Sequence, residues 1–312
     1  MEAPSPRAMV PKRKDVSHMV QQVSVEDGAQ TGDATEDGSH ALAPDLAYRR
    51  VVMVNVVFVG PPGAGDRGWV LVDAGIPGGK GLIKGTAEAR FGAGARPAAI
   101  VMTHGHFDHV GVLEDLAAEW DAPVYAHAAE RPYLDGSAAY PNADPTVGGG
   151  ALALLSPLYP TKPVDLGARL VTLPADGTVP PMPGWRWIHT PGHSPGHVSL
   201  WREADGSLIA GDAFVTTAQE SIYAVALQEP EIHGPPMYLT VDWPAAAASV
   251  RRLAALRPER VVTGHGRPLA GAEMRRGLDA LARDFETIAV PARGRYVDHP
   301  ARADDGSAYR EP

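Results

Sequence analysis

Four side chains of the kinds that bind metal ions stand within six residues of this chain, in the segment THGHFDH that begins at residue 103. An apolar run (AAIVM) with the length and composition of a buried strand precedes the segment, and a helical pattern follows it. Because side chains alternate along a strand, His104 and His106 are expected on one side. The turn beyond can bring Asp108 and His109 in from another direction. One short loop can therefore offer two pairs of metal ligands.

Three further residues of the same kinds stand at the ends of apolar segments. His193 lies in the turn TPGHSPG, Asp212 ends the segment SLIAGD, and His265 stands between two glycines after RVVT. Glycines permit close backbone approach, and residues at strand ends are where α/β folds gather active sites. Each residue alone is more typical of a cap or a satisfied polar group. Together with the first motif they indicate one shared site.

The chain contains no cysteine. This excludes disulfides, thiolate nucleophiles and sulfur-based zinc sites, so a metal here must be held by nitrogen and oxygen. Imidazole and carboxylate ligands suit zinc, and also iron or manganese.

The charge balance and the hydropathy of the chain restrict the kinds of partner that it can bind. There are 28 Lys and Arg against 37 Asp and Glu, a net charge of -9, which argues against nucleic acid as the main partner. The longest apolar run, VVMVNVVFV, is about half the length of a membrane-spanning helix, and the N-terminus has no apolar signal core. We expect a cytoplasmic protein that acts on a small molecule, with no membrane partner. Homo-oligomer formation is left open.

The chain divides into three parts by composition. Residues 1–45 are rich in Ser, Gly and acids, and they are expected to form a disordered or extended leader. Residues 46–290 carry the strand and helix patterns of one domain, and residues 291–312 form a tail. Within the domain, residues 132–167 contain a GGG run and three tyrosines, which indicates an insertion that is either a lid or inert.

Strand patterns alternate with helical ones through this domain. Nine strands are predicted, over residues 51–59, 69–74, 98–102, 123–128, 169–173, 185–190, 197–201, 207–212 and 260–264. Helices are predicted after Gly111, after the N-cap Asp242, and over an apolar stripe at Met274, Leu278, Leu281, Phe285 and Ile288. This order predicts a layered α/β domain.

In their order along the chain, the motifs HGHFDH, TPGHSPGH, LIAGD and VTGHG resemble those of the metallo-β-lactamase-fold hydrolase superfamily. The similarity runs from about residue 51 to residue 288. It implies an α/β (α+β) fold, a four-layer αββα sandwich with metals along one edge of the sheets.

The resemblance also assigns roles to the candidate ligands. It implies that His193 joins His104 and His106 around a first metal, that Asp108, His109 and His265 hold a second, and that Asp212 bridges the two. Other positions are expected to support the site through hydrogen bonds: Asp73 in LVDAG by its match to the family, and His189 and His197 because they flank the motif. His127 follows a strand with nothing catalytic beside it.

Two divalent ions about 3.5–4 Å apart can share one hydroxide and lower the pKa of water toward 7. Asp108 or Asp212 would orient that hydroxide and pass its proton on. We therefore expect a dinuclear metal-dependent hydrolase of a neutral ester or lactone. The metal ions are expected to be zinc, with iron or manganese as alternatives. Tyr223, His233 and Tyr238, with Gln228 and Met237, form either the substrate wall or a packed connection.

Alternatives within the same fold stay open. One is a thioester hydrolase resembling glyoxalase II, although the Gly-Cys-Gly type of loop is missing. A second is a mononuclear iron persulfide dioxygenase, against which the presence of both His109 and His265 speaks. A third is a non-catalytic binding protein. Lactonases of acyl-homoserine lactones carry a Tyr shortly after the bridging Asp, where this chain reads Ala213-Phe214-Val215. This difference speaks against an acyl-homoserine lactone as the substrate.

Overall fold

The computed structural model describes residues 23–25, 30–149, 151–219 and 230–310. The strands of these residues are β1 (Val23–Ser24), β2 (Asp33–Ala34), β3 (His40–Ala43), β4 (Leu46–Val51), β5 (Val54–Val59), β6 (Val70–Val72), β7 (Ala99–Val101), β8 (Val124–Ala126), β9 (Leu170–Thr172), β10 (Arg186–His189), β11 (Val198–Arg202), β12 (Ser207–Gly211), β13 (Glu231–Ile232), β14 (Arg260–Thr263) and β15 (Leu269–Ala270). The helices are α1 (Lys80–Phe91), α2 (Leu113–Trp120), α3 (Arg131–Leu134), α4 (Ala151–Leu155), α5 (Trp243–Ala255), α6 (Gly271–Ile288) and α7 (Arg295–Asp298).

Within the described residues, most strands form two large sheets. The first has eight strands in sequence order, β2 to β9; β2 to β6 pair antiparallel, and β6 to β9 pair parallel. The second has five strands in the order β10-β11-β12-β14-β15, with β12 and β14 parallel. A separate pair joins β1 to β13.

The sheets pack face to face through a buried cluster that includes Val57 and Val72 of the first sheet and Leu200 and Ile209 of the second. Helices α1 and α2 cover the outer face of the first sheet. Helices α5 and α6 cover the outer face of the second. The four-layer αββα sandwich is therefore confirmed.

Strand β5 shows why the apolar runs are continuous. All six of its residues are buried. Val56 and Phe58 pack toward the outer helices, and Val57 and Val59 pack toward the other sheet. A strand covered on both faces carries apolar side chains at nearly every position, and the simple alternation of a half-exposed strand is lost.

One of the nine predicted strands is wrong. Residues 51–59 are not one strand, because β4 ends at Val51 and the chain reverses through residues 52 and 53 into β5, with Val51 opposite Val54. Val52 takes a φ of +61° in this turn, which is unusual for a β-branched residue. Neither of the two turn residues, Val52 and Met53, is a Gly, Asn or Pro that would mark such a reversal.

The other predicted strands each overlap an observed one, and the three predicted helices are confirmed. The Asp242 carboxylate accepts a hydrogen bond from the Ala245 N–H at 3.0 Å, as an N-cap does. Helix α1 was not predicted, because four glycines lie within it or directly at its ends.

Both ends of the predicted domain have ordered neighbours. Strands β2 and β3 extend the first sheet before residue 46. In the tail, Arg302 pairs with Asp242 at 2.5 Å, and the Tyr133 hydroxyl donates to the Ala308 carbonyl at 2.6 Å. Residues 301–308 therefore pack against this same chain. None of the helices among the described residues is both long and apolar enough to cross a membrane.

Candidate metal centre

The candidate ligands follow the ends of strands that finish at one edge of the sandwich. The first motif follows β7, Asp212 follows β12, and His265 follows β14. Strand β11 is antiparallel to both β10 and β12, so the turn that carries His193 lies at the edge where β12 ends. The Val198 N–H donates to the Thr103 carbonyl at 2.9 Å and ties the two sheets together there.

Three histidines form one group of candidate ligands. One ring nitrogen from each of His104, His106 and His193 lies within 4.8 Å of the others, and all three side chains are buried. His106 Nδ1 is 2.9 Å from His193 Nε2. The fold thus brings together His106 and His193, which are 87 residues apart in sequence.

A second group contains Asp108, His109 and His265, whose ligand atoms also lie within 4.8 Å of one another. Asp212 stands between the groups. Its Oδ2 is 3.5 Å from Nε2 of His193 in the first group, and 3.6 Å and 3.2 Å from Nε2 of His109 and His265 in the second. One carboxylate oxygen therefore faces both groups, as a bridging ligand would.

The residues present fit a pair of divalent cations. Among the described residues, His104 Nε2, His109 Nε2 and Asp212 Oδ1 are buried polar atoms without a hydrogen-bond partner. Leaving such atoms unpaired in the interior is costly, and metal coordination would satisfy them. The donor set of imidazole nitrogen and carboxylate oxygen matches zinc, iron or manganese and selects none of them.

The two groups differ in charge. Burial and the neighbouring imidazoles hold the pKa values of His104 and His193 well below the usual range, so both rings are neutral and ready to coordinate. Burial also lowers the pKa of His265, but the carboxylates of Asp212 and Asp108 outweigh it and raise that pKa to about 10. A cation entering the second group therefore has to displace protons.

Asp73 holds the first ligand loop in place. Its carboxylate accepts from the Thr103 N–H at 2.8 Å, from the Thr103 hydroxyl at 2.7 Å and from His109 Nδ1 at 2.8 Å. The last bond requires a proton on His109 Nδ1 and leaves Nε2 directed at Asp212, as the nitrogen that would coordinate a metal. The motif resemblance had implied a supporting position for Asp73.

The two flanking histidines lie behind the ligands. His197 Nε2 accepts from the Asp212 N–H at 2.9 Å, and its Nδ1 pairs with the Thr190 hydroxyl at 2.8 Å. His189 Nε2 donates to the Pro195 carbonyl at 2.9 Å, in the turn that carries His193, and its ring stacks on His127 at 4.2 Å.

Two supporting residues escaped the sequence analysis. Asn55 of β5 donates from Nδ2 to the carbonyls of Thr263 and Gly266, at 2.9 and 2.7 Å, and so holds both sides of the His265 loop. A lone Asn in an apolar run was the available signal. Glu130 is fully buried and contacts both the first ligand loop and the His193 turn. An acid just after a strand gave no comparable signal.

Glycine is required at position 264. A Cβ there would lie 2.0 Å from Asp212 Oδ1 and 2.8 Å from His109 Cε1. The glycine before His265 thus makes room for two candidate ligands.

The structure describes only some of the residues predicted to bind substrate. Tyr223 and Gln228 lie outside the described residues. His233 is buried, and its backbone pairs with Val215 at 2.9 Å in both directions. The Tyr238 ring is also buried and lies 5.9 Å from that of Tyr159, which in turn is 4.9 Å from Phe107 of the first ligand loop. A substrate-binding role for these residues stays a prediction.

An αββα sandwich with buried groups of His and Asp at one sheet edge defines a class of metal-binding α/β proteins. A family model described as the metallo-beta-lactamase superfamily matches residues 49–265, and the chain belongs to that superfamily.

Known proteins similar to this chain agree with that assignment. "Probable metallo-hydrolase YflN" of Bacillus subtilis (strain 168) is 43% identical over 85% of this chain and 97% of its own length. A "Hydroxyacylglutathione hydrolase" of Acidiphilium cryptum (strain JF-5) is 28% identical over 62% of this chain and 60% of its own length. Among solved structures, a beta-lactamase domain protein from Burkholderia ambifaria shares the fold, with a TM-score of 0.56 and 20% identity over 85% of this chain and 81% of that one.

Proposed function

We propose that the chain is a dinuclear metal-dependent hydrolase that cleaves a neutral small-molecule ester or lactone, with zinc as the expected metal. The observation that carries this proposal is the position of Asp212 Oδ2, within 3.2 to 3.6 Å of imidazole nitrogens from both groups. The 43% identical relative named as a probable metallo-hydrolase supports the reaction class. Residues 46–290 would be the catalytic domain, with residues 132–167 as its lid.

Each group would hold one cation. His104, His106 and His193 would bind the first, Asp108, His109 and His265 the second, and Asp212 would contact both. Two bound divalent ions would supply Lewis acidity and a lowered pKa for water, the chemistry of two-metal hydrolases.

The carboxylates have a further task in this proposal. Asp108 Oδ2 lies 3.3 Å from His265 Nε2, and Asp108 is almost completely buried. With its second oxygen free of that contact, Asp108 can orient the attacking water and accept its proton. Asp212 would do the same from between the groups.

The surroundings of the first ligand loop support a neutral substrate. Residues 146–161 of the proposed lid contain no Lys, Arg, His, Asp or Glu. The Phe107 ring contacts that of Tyr159, and Tyr159 packs against a buried cluster that includes Leu152 and Tyr238, with Met53 beside it. An apolar wall of this kind favours an uncharged acyl or ring substituent.

A thioester of a small thiol is the second candidate, because the Acidiphilium cryptum relative is named a hydroxyacylglutathione hydrolase. Glutathione carries two carboxylates, and the uncharged stretch 146–161 offers them no cation. We therefore place esters and lactones ahead of thioesters.

Metal analysis and a substrate panel test the proposal. After saturation and desalting at pH 7 we expect about two metal ions per chain. Hydrolysis of neutral esters or lactones should then exceed that of glutathione thioesters. Fewer than about one and a half ions per chain would remove the dinuclear mechanism. A dinuclear protein that turns over only glutathione thioesters would overturn the substrate assignment. Iron content with oxygen uptake on a persulfide would instead indicate the dioxygenase.

A further inference from the structure

Glu130 is a buried carboxylate that no proposed ligand group uses. It ends a short 3-10 turn, Ala128–Glu130, and its side chain has no exposed surface. Oε1 accepts from the Ser194 hydroxyl and from the Gly196 N–H, both at 2.7 Å. Oε2 accepts from the Gly105 N–H at 2.9 Å and from the Tyr140 hydroxyl. Four donors thus surround one carboxylate.

These donors come from the two loops that carry the three-histidine group. Gly105 lies between His104 and His106, and Ser194 follows His193 directly. Each carboxylate oxygen therefore serves a different loop, and the 2.9 Å approach of His106 to His193 lies between the two anchored segments. A rigid carboxylate of fixed size sets the spacing of whatever it holds on its two oxygens.

The contact is close enough to require glycine at position 196. A Cβ there would lie 2.6 Å from the Glu130 backbone nitrogen and 2.8 Å from Glu130 Cγ. The His193 turn is thus pressed against the backbone and the side chain of Glu130.

Tyr140 extends this arrangement into the 132–167 segment. Its hydroxyl oxygen accepts from the Gly105 N–H at 2.8 Å, while its hydrogen goes to Glu130. Its ring lies 4.3 Å from that of His106 and 3.7 Å from that of Tyr133. The segment is therefore joined to the three-histidine group through the same carboxylate.

We propose that Glu130 is a positioning residue that fixes the separation of the His104/His106 loop and the His193 turn, and that Tyr140 couples residues 132–167 to it. This inference rests on the proposed metal-binding function but concerns only the three-histidine group. Asp73 has the corresponding role at His109 in the other group.

Metal affinity, read separately from activity, tests the proposal. Glu130→Gln keeps the shape but presents an NH2 donor to groups that are themselves donors. We expect it to raise the Kd of Co²⁺ at the three-histidine group about 10- to 100-fold and to change the Co²⁺ absorption spectrum of that group. The Kd at the other group should change by no more than about threefold. His193→Ala and His265→Ala, each of which removes a ligand of one group, assign the two binding steps.

Two further variants separate positioning from general stability. Asp144→Asn alters a buried carboxylate that accepts from Thr146 and Arg295 away from both loops, so it should leave both Kd values unchanged. Tyr140→Phe keeps the ring on His106 and removes the hydroxyl, and we expect a smaller rise in the same Kd. If Glu130→Gln does not fold, Tyr140→Phe alone tests the proposal.

Wild-type Co²⁺ affinity and spectrum in Glu130→Gln would overturn the inference, as would an equal weakening of both groups. In either case a wild-type chain that binds two metals and hydrolyses esters would leave the proposed function intact. A wild-type chain that binds fewer metals would instead remove the proposed function.

Discussion

At the scale of single residues, Asp212 and His197 show how differently two adjacent buried groups should respond to removal. Asp212 Oδ2 faces imidazoles of both groups, whereas the ring nitrogens of His197 hydrogen-bond to the Asp212 backbone N–H and the Thr190 hydroxyl. We expect Asp212→Ala to abolish hydrolysis and to weaken the binding of both metals. The loss of affinity should exceed the roughly 10- to 100-fold that is typical of removing a residue that only supports a ligand. His197→Ala should retain near-normal metal content. Elemental analysis of both variants after dialysis is the measurement, and equal metal loss would show that the inner ligands are wrongly assigned.

His127 offers a pH prediction outside the ligand set. Burial and the adjacent His189 lower its pKa to about 4, and its Nδ1 accepts the Ala129 N–H at 3.2 Å, which requires a neutral ring. An unfolded histidine has a pKa of about 6.5. Between these values the unfolded chain binds more protons, so the unfolding free energy falls as the pH drops from about 6.5 to 4. Above that pH window the contribution of His127 to the unfolding free energy is fully retained.

His127→Asn keeps an acceptor at this position and cannot titrate. We expect its unfolding free energy to fall less than that of the wild type between pH 7 and pH 4.5, measured by urea denaturation at each pH. Parallel curves for the two proteins would contradict the lowered pKa.

Sequence reasoning identified the ligand-type residues more readily than the residues that hold them. His104 and His106 are conspicuous because they recur in a short loop after a strand. Glu130 and Asn55 act through backbone groups that lie far away in sequence, 66 residues from Glu130 to Gly196 and 208 from Asn55 to Thr263. Such partners exist only once the sheets have packed.

At the scale of elements, replacing a glycine by alanine should have opposite consequences in α1 and in the loop after β14. Gly85 lies within α1, and a Cβ there would meet nothing within 4 Å. Gly85→Ala should therefore raise the unfolding free energy by up to about 1 kcal/mol, because alanine loses less backbone entropy in a helix. Urea denaturation measures this, with activity unchanged.

Gly264→Ala is the matched comparison, since the same methyl group would collide with Asp212 and His109. We expect it to lose metal binding. A stabilised Gly264→Ala with full metal content would show that the loop tolerates the side chain and that the close approach is not needed.

The helices and strands also differ in how well sequence predicted them. The stripe from Met274 to Phe285 lies on the buried face of α6, because a 3.6-residue period survives wherever one helix face is covered. The end of β4, the turn and β5 were predicted as one strand because residues 51–59 are apolar apart from Asn55. Burial on two faces removes the pattern by which a strand end is usually recognised.

At the scale of the whole molecule, the candidate centre joins the two sheets. Its residues follow β7 in one sheet and β12 and β14 in the other, so bound cations would cross-link the two halves of the sandwich. A ligand present at 100 to 1,000 times its Kd stabilises the folded state by about 2.7 to 4.1 kcal/mol. Removing the metals with a chelator should therefore lower the Tm by several degrees.

Calorimetry with and without chelator measures this change, and the centre itself provides the control. His265→Ala, which lacks one ligand of the second group, should start from a lower Tm and lose less on chelation. An unchanged wild-type Tm after verified metal removal would mean that the cations do not cross-link the sheets.

The sequence by itself determined the ligand chemistry and the class of fold. Its spacing of His and Asp after apolar strands, without cysteine, restricted any metal to nitrogen and oxygen donors, and its alternating strands and helices required layers. The motif resemblance already implied that Asp212 bridges two groups, but only the tertiary structure decided the distances at which it faces them and that Glu130 and Asn55 anchor the loops around them. The physical reason is that local patterns report which face of an element is buried, whereas a metal site depends on distances between loops that only the packing of two sheets can set.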